Sequence, residues 1–310
     1  MAKGKAMTPV QAHGKIRVCG TQLCSESGRP VHLKGMSTHG THWYAHCLTE
    51  AAMDAFAYDW KMNVLRVSTY ARQGGYHADP KKYTELASQL IDRATARGMY
   101  VIVDWHTIQP GDPHTDIDNA LTFFKQIAER HKHKSNVIYE IANEPNHVSW
   151  ERIKSYAETV IPVIRSRDAD SVILVPTPGW ATLGGAEGKN EQMIVDNPVR
   201  AKNVMYTFHF YAQKSRDDYV MRLDRASSKL PVFVTEWSAA SWTGYENDFP
   251  MAQKYVDLMA RKKIGWTHWV IADNGLDLSV FKKGACGAGK FTGTGVLKPA
   301  GIWIRERIRG

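Results

Sequence analysis

Two glutamates carry the chemistry that this sequence offers. Glu144 stands in Asn143-Glu144-Pro145 after the apolar run Val137–Ile141, and Glu236 follows Val232–Thr235. A carboxylate just past a strand is often a helix N-cap. Here Pro145-Asn146 intervenes before a helical pattern opens at Ser149, and no helical pattern follows Glu236 until Pro250. Two carboxyl groups facing one another across a pocket suit acetal cleavage at a sugar. One protonates the leaving oxygen and the other attacks the anomeric carbon, and their separation decides the stereochemistry. Arg66 lies inside an apolar run, and a buried guanidinium needs a carboxylate partner, for which Glu236 is the candidate. His209 and Tyr211, two apart, share one face of their strand.

Such residues need a frame. Eight short runs rich in Val and Ile read as strands: Val31–Met36, Val64–Ser68, Tyr100–Asp104, Val137–Ile141, Val172–Val175, Val204–Phe208, Val232–Thr235 and Trp266–Val270. They are apolar on both faces, as strands of a buried parallel sheet are. Helical patterns alternate with them at Thr49–Met62, 79–98, Asp116–Lys132, Ser149–Arg165, Ser215–Lys229, Pro250–Lys263 and Ala300–Ile308, with a weak one near Asn190–Asp196. Asp79-Pro80 supplies an N-cap and a Pro at the first helical position, and Gly98 closes that segment. Eightfold alternation predicts an α/β fold, a (β/α)8 TIM barrel forming one domain over 1–310. An N-terminal β-hairpin plugs its bottom, and residues 1–12 are expected to be flexible. A dinucleotide-binding open sheet is excluded, because Lys34-Gly35-Met36-Ser37-Thr38-His39-Gly40 lacks the glycine fingerprint. In a barrel the site lies where strands end. His39, Arg66, Trp105-His106, Asn143-Glu144, His209, Tyr211, Glu236-Trp237 and Trp269 all fall there.

The 310 residues carry 40 Lys+Arg against 31 Asp+Glu, a formal charge of +9. The basic residues are dispersed among acids, which argues against nucleic-acid binding. No apolar run approaches the length that crosses a membrane. Met1–Val10 has lysines but no apolar core, so it does not read as a signal peptide. Cys19 and Cys24 flank a tight hairpin and are placed to pair across it. Cys47 and Cys286 fall in loops that a closed barrel makes neighbours, and a disulfide is expected there. No C-x2-C pair supports a zinc site, and His39, His42 and His46 lie in a loop without a neat carboxylate partner. Oxidised cysteines point to an exported protein. Gly284–Phe291 approaches a phosphate-binding loop but ends in Phe291 and opens no helix. Gly-x-Ser-x-Gly is absent.

Asn143-Glu144-Pro145, read with Gly35-Met36-Ser37-Thr38-His39-Gly40, Val101-Ile102-Val103-Asp104-Trp105-His106 and Phe208-His209-Phe210-Tyr211, resembles glycoside hydrolase family 5. Within it the likeness is to the secreted actinobacterial endo-β-1,4-glucanases, over nearly the whole chain. The resemblance implies Glu144 as acid/base and Glu236 as nucleophile in a retaining, double-displacement hydrolysis of cellulose-type glucan. It implies that Arg66 and Tyr211 hold Glu236, that His209 adjusts Glu144, and that Asn143, His106 and His39 meet sugar hydroxyls. Trp269 would form the floor. Trp237 and His268 join the expected substrate contacts. Trp43, Tyr70 and Trp180 either stack flanking sugar rings or pack the rim. No cofactor or metal is needed, and a secreted monomer acting on polysaccharide is expected. Departures occur at Trp237-Ser238, His268, Val270, Ala272, Pro178 and Thr41-His42-Trp43, where these relatives carry other residues. They motivate an alternative, a reshaped or redesigned cleft in which the same glutamates act on a non-cellulosic or non-natural substrate. Trp237 would add bulk there, and Val270 would delete a sugar hydrogen bond.

Overall fold

Val, Ile and aromatic side chains fit a pleated surface that is covered on both faces, and the apolar runs form strands accordingly. The computed structural model describes residues 7–213 and 216–310. A hairpin of β1 (Arg17–Cys19) and β2 (Gln22–Cys24) precedes eight further strands. These are β3 (Lys34–Thr38), β4 (Val64–Tyr70), β5 (Tyr100–His106), β6 (Val137–Glu140), β7 (Ile173–Val175), β8 (Val204–Tyr211), β9 (Val232–Ser238) and β10 (Trp266–Ile271). Each pairs in parallel with its successor, and β10 closes onto β3. This is the expected (β/α)8 barrel. Gly35 permits the tight approach of β3 to β4, since a Cβ there would sit 1.7 Å from the Val64 carbonyl oxygen.

The long helices cover the barrel and begin where the sequence supplies caps. Asp79 accepts the Lys82 N–H ahead of Pro80–Ala96, Ser149 that of Arg152 ahead of Trp150–Arg165, and Asp248 that of Met251 ahead of Phe249–Lys262. The segment after β3 is less regular, an α-turn at Glu50–Asp54 running into a π-turn at Ala55–Asp59. The expected start at Ser215 lies outside the described residues, and the helix described there is Asp217–Ser227. The weak pattern near Asn190 gives only Gln192–Asp196. Among the described residues no helix is long and apolar enough to cross a membrane.

Period two sorts the strand side chains into two cores. Val64, Tyr100, Ile102, Ile138, Leu174, Met205 and Phe233 point into the barrel's lower half, where Ile16, Leu23, Val31 and Leu33 plug it. Leu65, Val67, Val101, Val103, Tyr139, Phe208 and Val234 point outward under the helices. The first barrel strand begins later than the predicted Val31, at Lys34. Val31 instead donates its N–H to the Leu23 carbonyl and belongs to the plug, and the ladder opens with Trp266 N–H on the Leu33 carbonyl. Nor is all of 1–12 loose. Residues 1–6 lie outside the described residues, but Pro9–His13 forms a short helix capped by Thr8, with Val10 N–H bonded to the Gly98 carbonyl.

One irregularity matters for the site. Thr207 aligns with Phe233 but His209 with Glu236, and Trp266 aligns with Val234 but His268 with Trp237. Both neighbours of β9 thus slip by one residue at the same place, which is a β-bulge. The bulge sends Thr235 and Glu236 to the inner side together and turns Trp237 outward.

Both expected disulfides are present. Cys19–Cys24 crosses the hairpin, and Cys47–Cys286 ties the loop after β3 to that after β10, with Cα atoms 4.8 Å apart.

Candidate active site

Arg66, on the inner phase of β4, is the hub beneath the barrel mouth. Its guanidinium donates to both carboxylate oxygens of Glu140 (2.7 and 3.2 Å), to Glu236 Oε2 (3.2 Å) and to Asn143 Oδ1 (2.8 Å), and lies 3.0 Å from Asp104. Burial opposes its charge, but Asp104, Glu140 and Glu236 outweigh that and hold the cation firmly. Tyr211 donates to Glu236 Oε1 at 2.5 Å, so the expected pair of donors on Glu236 is in place. Burial and the Glu236 charge push the Tyr211 phenol well above its ordinary range, keeping it a donor.

Glu144 is set by the turn after β6. Its N–H bonds to the Thr107 carbonyl, and Asn146 Nδ2 braces the Glu144 carbonyl at 2.9 Å. His209 Nδ1 donates to Glu144 Oε1 at 2.8 Å. Burial disfavours charge on His209, yet the Glu140 carboxylate 3.8 Å from Nε2, the hydrogen bond to Glu144 and the Glu236 charge push it up to about 9. At neutral pH it is an imidazolium with both N–H groups engaged. Carboxylate oxygens of Glu144 and Glu236 lie within 4.8 Å of each other. Sequence offered no measure of that distance.

A cavity of about 670 Å³ opens above the pair. Tyr70 stacks on His106 at 4.1 Å, and Trp269 lies parallel to the same imidazole at 5.7 Å. His106 Nδ1 sits 2.6 Å from Asp104, and burial, reinforced by Arg66, drives its pKa down to about 3, leaving it neutral. His39 packs beside Tyr70 and Trp269. Its Nδ1 accepts the Gly40 N–H, and burial, then His106 and His42, lower it to about 4. Trp43 is exposed beside Tyr70. Trp180 lines the cavity near Glu144, its N–H bonded to the Pro145 carbonyl. Asn143 is fully buried, holding Arg66 and the Thr107 carbonyl.

Two expected substrate contacts lie elsewhere. Trp237 is 0% exposed and packs against Phe210, Trp266 and Trp303 behind the sheet. His268, also 0% exposed, meets the Trp237 ring edge-on and accepts the Ala239 N–H. The β9 bulge put Trp237 on the outer phase, and His268 shares that phase on β10. Val270 is buried as well. Trp237 therefore does not add bulk to the cleft, whereas Val270 packs with Tyr70 and Trp269 in the cleft wall.

Sequence reasoning missed several residues. Asp104, Glu140 and Thr235 form the buried floor of the site, and the signal was available. Asp104 follows Tyr100 and Ile102 on the inner phase of β5, and Glu140 follows Ile138 on that of β6. Trp242 and Arg216, which also line the cavity, come from loops with no periodic signal. Among the described residues two side-chain groups have the spacing to hold a metal. In His46–Cys47–Asp273 the sulfur is already in a disulfide, and in Glu144–His209–Glu236 both imidazole nitrogens are hydrogen-bonded. His39 and His42 belong to neither group.

Comparison with known proteins gives the same picture. The family model for cellulase (glycosyl hydrolase family 5) matches residues 24–275. An endoglucanase of Thermobifida fusca is 55% identical over 303 residues, covering 97% of this chain and 65% of its own length. An endoglucanase of a Microbulbifer species is 48% identical over 309 residues, covering 97% and 59%. The chain thus spans about 60–65% of the length of these two relatives. The crystal structure of the catalytic domain of the Thermobifida fusca endoglucanase superposes with a TM-score of 0.97 at 54% identity, covering 98% of this chain and all of that one. A variant of that domain in complex with cellotetraose gives 0.96. A match running from the hairpin to beyond β10, around a paired-carboxylate mouth, shows that the chain belongs to the cellulase (glycosyl hydrolase family 5) family.

Proposed function

We propose that this chain is the catalytic unit of a retaining endo-β-1,4-glucanase. The observation that carries the reading is the approach of Glu144 and Glu236 to within 4.8 Å beneath an open aromatic cleft. Retaining glycosidases hold their carboxyl groups about 5–5.5 Å apart, whereas inverting ones need about 6.5–9.5 Å to admit a water. Glu236, fixed by Arg66 and Tyr211, attacks the anomeric carbon as a carboxylate. The bond to the leaving oxygen breaks, and Glu144 gives that oxygen its proton. Water then attacks the glycosyl-enzyme, Glu144 takes the water's proton, and the bond to Glu236 breaks. The His209 imidazolium tracks the changing charge of Glu144 through its Nδ1–H.

A β-1,4-glucan substrate is supported by the relatives named as endoglucanases and by the cellotetraose held by the similar domain. Tyr70, Trp180 and Trp269 offer flat faces for pyranose rings. His39 and His106, both neutral, are suited to hydroxyl contacts. The two-carboxyl mechanism closes its proton and electron balance without a cofactor or metal. Two disulfides support action in an oxidising, extracellular setting. Among the described residues the exposed large apolar side chains are Met7, Trp43, Tyr58, Met221, Trp242, Tyr245 and Ile302, drawn from separate segments of the chain, which supports a monomer.

Treatment with 2-deoxy-2-fluorocellobiosyl fluoride tests the assignment. The expected result is loss of activity with one label on Glu236, located by peptide mass spectrometry. Label on another residue, or rapid turnover of cellulose by an enzyme that takes no label, would overturn it.

A further inference from the structure

Beneath the cleft the two glutamates are joined by an unbroken chain of hydrogen bonds. Glu236 accepts from Arg66, and Arg66 donates in a fork to Glu140. Thr235 donates to Glu140 Oε1 at 2.7 Å and receives His209 Nε2–H at 2.7 Å, while His209 Nδ1 reaches Glu144. Glu140 stands at the centre of this chain, 0% exposed and outside the cavity lining. The reaction steps above leave it no task.

We propose that Glu140 is a positioning residue that keeps His209 protonated, through Thr235, while anchoring the Arg66 that orients Glu236. The proposal rests on the glucanase reading for its catalytic meaning, but its physical content is a charge balance. Two buried cations, Arg66 and His209, face Glu140 and Glu236, while burial raises the third carboxyl on Arg66, Asp104, well above its ordinary range and favours its neutral form. Removing the Glu140 charge makes every nearby proton easier to lose.

Other groups face His209 as well. Glu144 and Glu140 approach from β6 and its following turn, and Thr235 and Glu236 from β9. Arg66 on β4, Asp104 and His106 on β5, and Tyr211 on its own strand complete the surroundings. Of the carboxylates among them, Glu140 is the one that meets the Nε2 side, at 3.8 Å directly and through Thr235.

The test is an imidazole 15N NMR titration of His209 in the wild type, Glu140→Gln and Thr235→Val, paired with the pH profile of kcat/KM on an aryl cellobioside. The wild-type His209 midpoint is expected near 9. Glu140→Gln should lower it by at least one pH unit, tenfold in proton affinity, and move the basic limb of kcat/KM the same way. Thr235→Val, which keeps Glu140 on Arg66 but cuts the relay, should shift both by less. It decides the matter if Glu140→Gln does not fold. A merely structural role would lower kcat without moving the midpoint. Unchanged midpoints in folded variants overturn the proposal. The NMR midpoint needs no turnover, so a wild type that fails to hydrolyse glucan would count against the glucanase reading and leave this result legible.

Discussion

Replacing Arg66 with Met removes a cation shared by three carboxyl groups in a site where Arg66, Asp104 and Glu140 are fully buried. Two consequences can be sized. Breaking a buried pair by deleting one partner costs about 3–5 kcal/mol of stability, because the remaining charges lie uncompensated. Glu236 also loses a charged donor at 3.2 Å, an interaction worth about 1.5–3 kcal/mol, or roughly 10–150-fold in kcat if it is held through the attack. The pH dependence gives a sharper signature. Burial would raise the Glu140 carboxyl, but Arg66, with His209, holds it at about 2 against an ordinary 4.5. A carboxyl depressed on folding stabilises the native state fully above about pH 5, and that contribution drains away as pH falls toward 2. The shift corresponds to about 3 kcal/mol. Urea melts between pH 3 and 7 should therefore show a steep acid loss in wild type and a flatter one in Arg66→Met. Arg66→Lys should fall between them, keeping the charge without the fork. A folded Arg66→Met enzyme with wild-type kcat and the wild-type acid slope would refute the account of this hub.

Trp237→Phe should lower stability by about 1–3 kcal/mol and leave KM within about twofold, because Trp237 packs behind the sheet. Trp269→Ala should instead raise KM for cello-oligosaccharides on the order of tenfold, through loss of an aromatic face; initial-rate kinetics on both variants check the contrast. Glu144→Gln should lower cellulose hydrolysis by about 10²–10⁴-fold but spare much of the release of fluoride from cellobiosyl fluoride, whose leaving group needs little protonation. Equal losses on both substrates would count against the acid role. The paired change Cys47→Ser and Cys286→Ser opens a link spanning 239 residues and should cost about 2–5 kcal/mol in urea melts.

Most of the barrel was legible because its signals are local. Val- and Ile-rich runs, the Asp79-Pro80 start and the strand-end placement of Glu144 and His209 need no knowledge of neighbours. The errors arose where neighbours decide. Val31 looks like the start of a strand but pairs with Leu23 of the hairpin, which its own composition does not reveal. Trp237 follows Glu236 directly and was read as a cleft residue beside it. A single-residue bulge fixes which of the two faces inward, and it is visible only as a slip against β8 and β10. Glu140 and Asp104 were overlooked for another reason. Their inner phase was readable, but their purpose depends on Arg66 arriving from a third strand. Trp242 and Arg216 reach the cavity from loops, where no period exists to read.

The anomeric form of the first product tests the pairing of Glu144 with Glu236 most directly. Proton NMR during the early hydrolysis of cello-oligosaccharides should show the β-anomer of the new reducing end appearing first, with the α-anomer growing only by mutarotation. An α-anomer released first would mean that water attacks directly, and the covalent role assigned to Glu236 would be wrong.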